Sequence, residues 1–446
     1  MATTPAIDQR PAGKMAADLL VVGGGAAGVA AAVTAARKGL KVTLVERYGF
    51  CGGGAVAGLS GTICGLYAAS EDDSAPPKKV VSGFVDEFIA MMNSRGGLTG
   101  PIRYGKTFTL VHDPLVWREA ADALLEEAGV HVMLHTLVTG VLMEGNRVDG
   151  VEVYTKEGRF QIRARLVIDA SGDADVIAMA GLDFTVGDNG RVQNPTMIFR
   201  MQGVDVPAFL AAHGPDSILG TDVAEMMKAA ESRGYKLPRK KGFLFPTPRP
   251  GELLCNTTRI IGRDGRELDP LVAKDFTEAE VEGRKQAREY TRFFKEHLKG
   301  CENAFLNDTG VQVGVRQTRQ VRGVSTLSND DVVEGTKFAD GIACSPWPIE
   351  LHSGDKPRLE WLYDDCYEIP YGCFVPVRGE GVLVAGRCLS AQHEAMASAR
   401  VTAQCFSYGH AIGVAAAICI HDRVAPRAID GASLREEMKR AGAALD

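Results

Sequence analysis

The sequence has no run of basic residues, and its charge balance is slightly acidic. Its 50 lysines and arginines are outnumbered by 56 aspartates and glutamates, so the formal net charge is −6 at pH 7. Proteins that bind nucleic acid or anionic lipid usually cluster cationic side chains to neutralise phosphates. We therefore expect no nucleic-acid partner and no attraction to a membrane surface.

Paired cysteines and long apolar runs are also lacking. The ten cysteines form no CxxC pair, which argues against a metal site or a disulfide framework and favours reduced thiols in the cytoplasm. The apolar stretch 16–36 is interrupted by Asp18 and by glycines, and the stretch 411–420 is shorter than a membrane span of about 20 residues. Residues 1–15 have no apolar core typical of a signal peptide and predict a flexible leader.

A glycine motif near the amino terminus is the most informative pattern. The stretch ADLLVVGGGAAGVAAAVTAARKGLKVTLVE predicts a strand, a tight turn, a helix of small residues and a second strand. Gly23, Gly25 and Gly28 follow the G-x-G-x-x-G spacing of a dinucleotide-binding turn, whose helix N-terminus binds the pyrophosphate. Glu46 ends the second strand, where a carboxylate can accept hydrogen bonds from the adenosine ribose. The alternative is that the glycines only pack the helix against the sheet.

A second glycine-rich segment follows directly and distinguishes FAD from NAD. In LVERYGFCGGG the glycines begin within six residues of Glu46. A simple NAD domain does not need further glycines at this point. FAD is longer, and its flavin half must pass along additional backbone, for which Gly52 and Gly53 leave room. The sequence therefore predicts FAD as the cofactor.

The order of the elements predicts a first domain that is interrupted and later resumed. Asp113 and Pro114 mark the start of a helix, which is followed by a meander and by a buried strand at 166–170. The pattern then becomes irregular, and a motif that resembles those of the first domain recurs at GVLVAGRCLSA. The predicted division is a flexible leader at 1–15, the first part of an FAD-binding domain at 16–186, a substrate domain at 187–372, the second part of the FAD-binding domain at 373–425 and a helical tail at 426–446.

These motifs together resemble the FAD-dependent oxidoreductases of the glutathione-reductase-like FAD/NAD(P)-binding superfamily. The similarity extends from residue 17 to about residue 425, and its further landmarks are HDPLVWREAADALLEEAGV, LVIDASGDADV, MIFRMQGVD, VGVRQTR, YEIPYGCFVP and LVAGRCLSAQHEAMASARV. The resemblance implies an α/β fold. Its parts would be a Rossmann-like FAD-binding domain of glutathione-reductase type with a β-meander, and an inserted mixed α+β substrate domain.

The resemblance also implies which residues contact FAD. For Asp173 an ordinary helix cap is an equal alternative. Relatives commonly have Leu at the position of Cys51, which leaves three interpretations: a small packing residue, a redox-active thiol or a covalent link to flavin. The positions that match the FAD-binding segments are Gly23, Gly25, Ala27, Gly28, Glu46, Arg47, Cys51, Gly52, Gly53, Val138, Ala170, Ser171, Gly172, Asp173, Gly386 and Arg387.

Candidate catalytic residues come from the later part of the chain. His352 and His393 match family positions at the expected interface of the two domains, and an imidazole of near-neutral pKa suits proton transfer. Tyr371 could offer a phenolic hydrogen bond. For each of these three residues a structural role is the open alternative.

Three arginines are candidates for binding a substrate carboxylate. Arg316, Arg319 and Arg400 could each form a bidentate pair with a carboxylate. The spacing of three between Arg316 and Arg319 would equally suit a solvated helix face. The sequence therefore leaves open whether the substrate is an anion.

The predicted reaction follows from the cofactor and from the motifs that are missing. No second G-x-G-x-x-G is present, so no dedicated NAD(P)H domain is expected. Electrons would come from an organic substrate and leave to oxygen, a quinone or a carrier protein. We predict hydride transfer from a small polar molecule, with or without a carboxylate, to flavin N5.

Two other functions stay open. One is a fumarate-reductase-like enzyme that reduces an activated C=C bond. The other is a tRNA-directed flavoprotein, which the acidic charge balance disfavours. A homo-oligomer is compatible with each of these functions.

Overall fold

The computed structural model describes residues 13–351 and 358–445. The strands in these ranges are β1 (Gly13–Val22), β2 (Val42–Val45), β3 (Thr62–Ile63), β4 (Ile102–Tyr104), β5 (Thr107–Val111), β6 (His131–Met133), β7 (Leu137–Glu144), β8 (Arg147–Thr155), β9 (Gly158–Asp169), β10 (Phe184–Val186), β11 (Phe199–Gln202), β12 (Phe243–Pro246), β13 (Glu252–Asn256), β14 (Phe305–Thr309), β15 (Arg319–Val321), β16 (Gly341–Ser345), β17 (Ile349–Leu351), β18 (Arg358–Glu360), β19 (Tyr367–Pro370) and β20 (Val382–Val384).

The α-helices in the same ranges are α1 (Ala26–Arg37), α2 (Gly53–Val56), α3 (Phe84–Asn93), α4 (Pro114–Glu127), α5 (Asp175–Met179), α6 (Val206–His213), α7 (Thr221–Ala230), α8 (Ala273–His297), α9 (Asn329–Glu334), α10 (His393–Ala399), α11 (Thr402–Asp422) and α12 (Gly431–Arg440).

The larger sheet combines strands from the beginning and the end of the chain. Its order is β6–β2–β1–β9–β8–β7, and β20 also pairs with β9. Strands β6, β2, β1, β9 and β20 run parallel, whereas β7, β8 and β9 form an antiparallel meander. Every residue of β2 is buried, as is usual for a parallel strand covered on both faces. The predicted strand–helix–strand unit and the meander are confirmed.

Helices α1 and α11 pack closely against each other. A Cβ added at Gly409 would overlap the Ala27 carbonyl, and one added at Gly413 would lie 2.7 Å from Ala31 O. Helix α11 has 21 residues, longer than the predicted apolar stretch 411–420, and is long and apolar enough to cross a membrane. However, 89% of its apolar window is buried inside the protein, which is the pattern of a core helix.

A second, antiparallel sheet has the order β12–β13–β11–β14, with α8 packed against it. Its hydrophobic cluster is formed by residues between 197 and 313, whereas residues from Val321 onward pack in the cluster of the larger sheet. Strand β1 begins at Gly13, inside the predicted leader 1–15, and pairs with β9 from its first residue. The remaining domain limits stay a prediction.

Helix α4 begins as the sequence indicates and also connects the two sheets. Asp113 Oδ1 accepts a hydrogen bond from the Leu115 N–H at 2.8 Å, and Pro114 is the first helical residue. Arg249, between β12 and β13, donates to both Asp113 oxygens at 2.5 and 2.9 Å. The N-cap carboxylate is therefore fixed from the side of the second sheet.

Candidate active site

A cleft of about 320 Å³ lies at the carboxyl ends of the parallel strands. Its walls include Gly23 after β1, Glu46 after β2, Ala170 after β9 and Gly386 after β20. This edge is where open α/β sheets bind ligands. From there the cleft continues to an inner end beside the second sheet, where Phe245 is part of the wall.

The three motif glycines have different roles in this cleft. Gly23 has φ of +102°, and a Cβ there would overlap Ala170 O. A Cβ on Gly28 would overlap Gly23 O, so this glycine lets the helix pack on the turn. A Cβ on Gly25 would meet only Gly53 Cα, at 3.7 Å, because Gly25 faces the cleft. Helix α1 has no side-chain cap, so its first N–H groups are available to a phosphate.

The second glycine segment closes against the first. The Gly52 N–H donates to Gly24 O at 2.8 Å. Gly53 has φ of +47°, and a Cβ there would lie 2.9 Å from Gly25 Cα. A Cβ on Gly54 would meet nothing within 4 Å, since this residue faces the cleft. The triplet is therefore explained partly by backbone packing and partly by open space for a ligand.

Glu46 is held by the backbone at the end of β2. Its side chain is 5% exposed. Oε2 accepts from the Gly24 N–H at 2.7 Å and Oε1 from the Tyr48 N–H at 2.9 Å. Burial raises the pKa of Glu46, and these two hydrogen bonds oppose that shift. Each oxygen retains acceptor capacity toward the cleft, as the ribose hydroxyls of FAD require.

Most of the predicted cofactor residues line the cleft, and three do not. The three are Gly28, which packs the helix as described, Cys51 and Asp173. The lining residues are Gly23, Gly25, Ala27, Glu46, Arg47, Gly52, Gly53, Val138, Ala170, Ser171, Gly172, Gly386 and Arg387.

Asp173 positions Arg387 and is not the cap of α5. It accepts hydrogen bonds from Thr318 Oγ1 at 2.7 Å and from Arg387 Nη2 at 3.1 Å. The N-cap position is Ala174, which has no capping side chain. Asp169, a residue that sequence reasoning missed, takes over this function, because its Oδ2 accepts from the Val176 and Ile177 N–H groups at 2.9 and 3.1 Å. Within the described ranges, Arg387 Nη1 has no hydrogen-bond partner, so it can donate to a bound anion.

Cys51 packs inside the protein. It is fully buried in the core of the larger sheet. A Cβ added at Gly24 would lie 2.6 Å from its Sγ, which shows how closely the sulfur fills the space behind the turn. Burial and the nearby Glu46 carboxylate raise the pKa of the Cys51 thiol. A neutral, inaccessible thiol is a poor nucleophile, and these observations favour the packing interpretation.

Two of the three predicted arginines, Arg316 and Arg400, line the inner end of the cleft. Arg316 is 8% exposed, and its Nη1 donates to Asn194 O at 2.7 Å. Burial and the charge of Arg400 lower the pKa of Arg316 to about 9. Burial and the charge of Arg387 lower the pKa of Arg400 to about 10. A buried cation beside a second, partly buried one favours a bound anion at this place.

Arg319 is directed elsewhere. It is the first residue of β15, not part of a helix, and its guanidinium pairs with Asp175. Its Nε also donates to Asp173 O at 2.7 Å. The structure thus directs Arg319 away from the cleft lining, because its Nε and Nη2 are bonded to α5 and to the turn before it. Its role in substrate binding stays a prediction.

Two of the predicted catalytic residues, Tyr371 and His393, do not line the cleft. Tyr371 is 4% exposed, and its hydroxyl donates to Pro426 O at 3.1 Å, so it is a core tyrosine. His393 begins α10, outside the cleft lining, where burial lowers its pKa. The charged groups that face it include Asp188 and Glu394. His352 lies outside the described residues.

Sequence reasoning missed several polar and aromatic residues of the inner end. Glu350 and Tyr104 both line it, and the Tyr104 hydroxyl donates to Glu350 Oε1 at 3.1 Å. Trp347 and Phe245 add aromatic walls. In the part of the chain that the structure describes, Trp347 Nε1 and Arg400 Nε have no hydrogen-bond partner. In the sequence, only the stretch WPIELH, which contains Trp347 and Glu350, could have drawn attention to these two residues.

The cleft fits FAD at both of its ends. The adenosine end offers a glycine turn, a helix N-terminus and a fixed carboxylate. At the other end α11 begins at Thr402 without a side-chain cap, and Val401, Thr402 and Cys405 line the cleft. The positive end of this helix dipole can stabilise negative charge on a reduced flavin.

The comparison with protein families defines the class. A family model described as FAD dependent oxidoreductase matches residues 18–438. The chain therefore belongs to the FAD-dependent oxidoreductase family, and FAD is its cofactor. The fold is a mixed α/β, Rossmann-like FAD-binding fold.

Individual relatives match a smaller part of the chain than the family model does. Digeranylgeranylglycerophospholipid reductase 1 of Methanococcoides burtonii is 34% identical over 170 residues, which are 37% of this chain and 40% of the relative. Digeranylgeranylglycerophospholipid reductase of Methanoculleus marisnigri is 28% identical over 273 residues, 58% of this chain and 61% of the relative. The chain thus matches only about half the length of these curated relatives.

One solved structure supports the fold along nearly the whole chain. It is a geranylgeranyl bacteriochlorophyll reductase-like protein of Thermoplasma acidophilum, with a TM-score of 0.53 and 16% identity. The match covers 96% of this chain and 83% of the other. At this identity the similarity concerns the fold alone.

Proposed function

We propose that this FAD-dependent oxidoreductase takes a hydride from a small polar substrate that carries a carboxylate. FAD supplies the hydride acceptor at flavin N5. Arg316 and Arg400 hold the carboxylate at the inner end of the cleft. The aromatic side chains of Trp347 and Phe245 cover the remainder of the substrate and exclude water.

The pair of arginines is the observation that carries this proposal. Both line the same cleft as the glycine turn, and each has a pKa lowered first of all by burial. Glu350 lines the same end, and its negative charge partly opposes the lowering of both arginine pKa values. A carboxylate in bidentate contact would satisfy donors such as Arg400 Nε.

Glu350 is our candidate for the proton that leaves with the hydride. Its Oε1 already accepts the Tyr104 hydroxyl at 3.1 Å, and both side chains line the inner end. A carboxylate at this place could receive an O–H or N–H proton of the substrate, with Tyr104 keeping it oriented. His393 and Tyr371 lack that access.

The reverse direction is the second candidate. The two curated relatives described above are named as reductases, which favours reduction of an activated C=C bond by an already reduced enzyme. The same arginines would then hold an unsaturated acid. The tRNA-directed alternative has no comparable support.

We also infer the type of FAD domain, the cellular location and the electron acceptor. The meander and the return of β20 to the larger sheet support an FAD domain of glutathione-reductase type, with the second sheet as the inserted substrate domain. We propose a cytoplasmic location, because all ten cysteines are unpaired. Oxygen, a quinone or a carrier protein would accept the electrons.

Anaerobic stopped-flow measurements separate these possibilities. A panel of hydroxy acids, amino acids, amines and alcohols is mixed with oxidised enzyme, and unsaturated acids are mixed with dithionite-reduced enzyme. Bleaching of the flavin only by carboxylate-bearing donors supports the proposal. Rapid reoxidation only by unsaturated acids supports the second candidate, and bleaching by uncharged donors alone contradicts the role of the arginines.

Glu350→Gln tests the proton acceptor. Flavin reduction should slow by roughly a hundredfold while FAD stays bound. His393→Ala is the matched variant and should change the rate less than about twofold. The opposite pattern would transfer the role to His393.

A further inference from the structure

Two cysteines outside the cleft are brought close to each other by one strand pair. Cys344 of β16 pairs in register with Glu368 of β19. Cys366 stands two residues before Glu368 and directly precedes β19, so the pairing places it beside Cys344. The interaction between the two thiols is the largest cause of the pKa shift of each. Neither residue lines the cleft.

The two thiols have different surroundings. Cys344 is 5% exposed, and its Sγ is within 3.4 Å of two backbone carbonyl oxygens. Cys366 is only partly buried. Lys337 Nζ donates to Cys366 Sγ at 3.5 Å and is fixed there by a second hydrogen bond, to Asp365 Oδ1 at 2.9 Å. An ammonium group is therefore held beside the more accessible sulfur.

This arrangement separates Cys366 from the other nine cysteines, all of which belong to the described residues. The interaction with Cys344 and the Lys337 ammonium lower the pKa of Cys366. The pKa of each of the others is raised, with burial among the causes in every case. The remaining charges at the pair are the carboxylates of Asp365 and Glu368.

We propose that Cys366 is a peroxide-reactive site and that Cys344 is its resolving thiol. The thiolate of Cys366 attacks one oxygen of hydrogen peroxide, so that an S–O bond forms, the O–O bond breaks and hydroxide leaves. The Cys344 sulfur then attacks Cys366 Sγ. An S–S bond forms, the S–O bond breaks and water leaves with the Cys344 proton. Overall two thiols lose two electrons, and one peroxide becomes two water molecules.

The chemistry has the three elements that such sites require. A thiolate is the reactive form, and the cation beside Cys366 stabilises it. Partial exposure admits peroxide. An adjacent second thiol converts the sulfenic acid to a disulfide before it is oxidised further. The proposal is independent of which substrate enters the cleft.

Differential alkylation and mass spectrometry of the intact, reduced holoenzyme test it. At neutral pH, iodoacetamide should label Cys366 at least about tenfold faster than Cys344 or Cys419. A few equivalents of hydrogen peroxide should produce a peptide pair joined through Cys344 and Cys366. In Cys344→Ser, dimedone should trap a sulfenic acid at Cys366.

Two matched variants sharpen the result. Lys337→Met should slow peroxide oxidation of Cys366 about tenfold, whereas Lys285→Met, on the exposed side of α8, should leave it unchanged. Cys419→Ser should still form the disulfide. If peroxide oxidises another cysteine first, or if wild-type protein gives no Cys344–Cys366 link while both thiols disappear, the proposal is overturned, whether or not the variants fold.

Discussion

The adenosine end of the cleft is made from backbone, whereas its inner end is made from charged and aromatic side chains. Glycines and one carboxylate within a short stretch of sequence form the adenosine end. Tyr104, Arg316, Glu350 and Arg400, from four distant segments, form the second. A surface of backbone N–H groups suits a pyrophosphate. A surface of remote side chains can change with the substrate while the fold stays the same.

The largest effect should come from one methyl group at the adenosine end. Gly28→Ala places a Cβ onto Gly23 O, and we expect a loss of about 3 kcal/mol or more in stability, with loss of FAD. Helix propensity alone predicts a gain of about 1 kcal/mol. Gly100→Ala, whose Cβ would meet nothing within 4 Å, is the control. Thermal unfolding and flavin content are measured, and a stable yellow Gly28→Ala protein would contradict the close packing.

At the inner end, Arg400→Met should weaken substrate use without releasing FAD. Loss of a charge-assisted hydrogen bond is worth about 1.5–3 kcal/mol, or roughly 10- to 100-fold in kcat/KM for a carboxylate substrate. Arg292→Met on α8, where Arg292 pairs with Glu289, is the surface control. Steady-state kinetics and FAD content of both variants are compared. Equal kinetics in the two would remove Arg400 from the substrate site.

Glu46→Ala should do the reverse and affect FAD alone. The variant loses the acceptor for the ribose and leaves the Gly24 and Tyr48 N–H groups without their partner. We expect FAD affinity to fall by about 1–3 kcal/mol, measured by titration of the apoprotein. With FAD in excess, kcat should stay within a fewfold of wild type. A large fall in saturated kcat would mean that the two ends are not separable.

The smallest effect should come from Cys51→Ala. Removing a buried sulfur next to Gly24 should lower stability by about 1 kcal/mol, while flavin content and turnover stay close to wild type. Acid precipitation should give a colourless pellet for both proteins, because FAD is held without a thioether. A yellow wild-type pellet, or an inactive variant that still binds FAD, would assign chemistry to this thiol.

The same contrast explains what the sequence could predict. Gly23, Gly25 and Glu46 are recognisable because strand, turn, helix and acid follow one another within one local pattern. Tyr104 and Glu350 lie 246 positions apart, and no periodicity brings them together before the fold does.

Similar residues of one motif also take different places in the structure because of tertiary packing. Arg316 lines the cleft, whereas Arg319, three residues later, starts β15 and pairs with Asp175. The spacing alone could not distinguish them. His393 matches a family position and Tyr371 offered a phenolic hydroxyl, but packing directs both of them away from the cleft.

The docking of α11 onto α1 has a consequence for how the protein is made. During synthesis the glycine turn leaves the ribosome long before Gly386, Arg387 and the start of α11. Until these later residues emerge, one wall of the cleft is missing, and the face of α1 that receives Gly409 and Gly413 is uncovered. Flavin capture must therefore wait for the synthesis of α11, and until then the nascent chain carries an exposed apolar helix that is a natural target for chaperones.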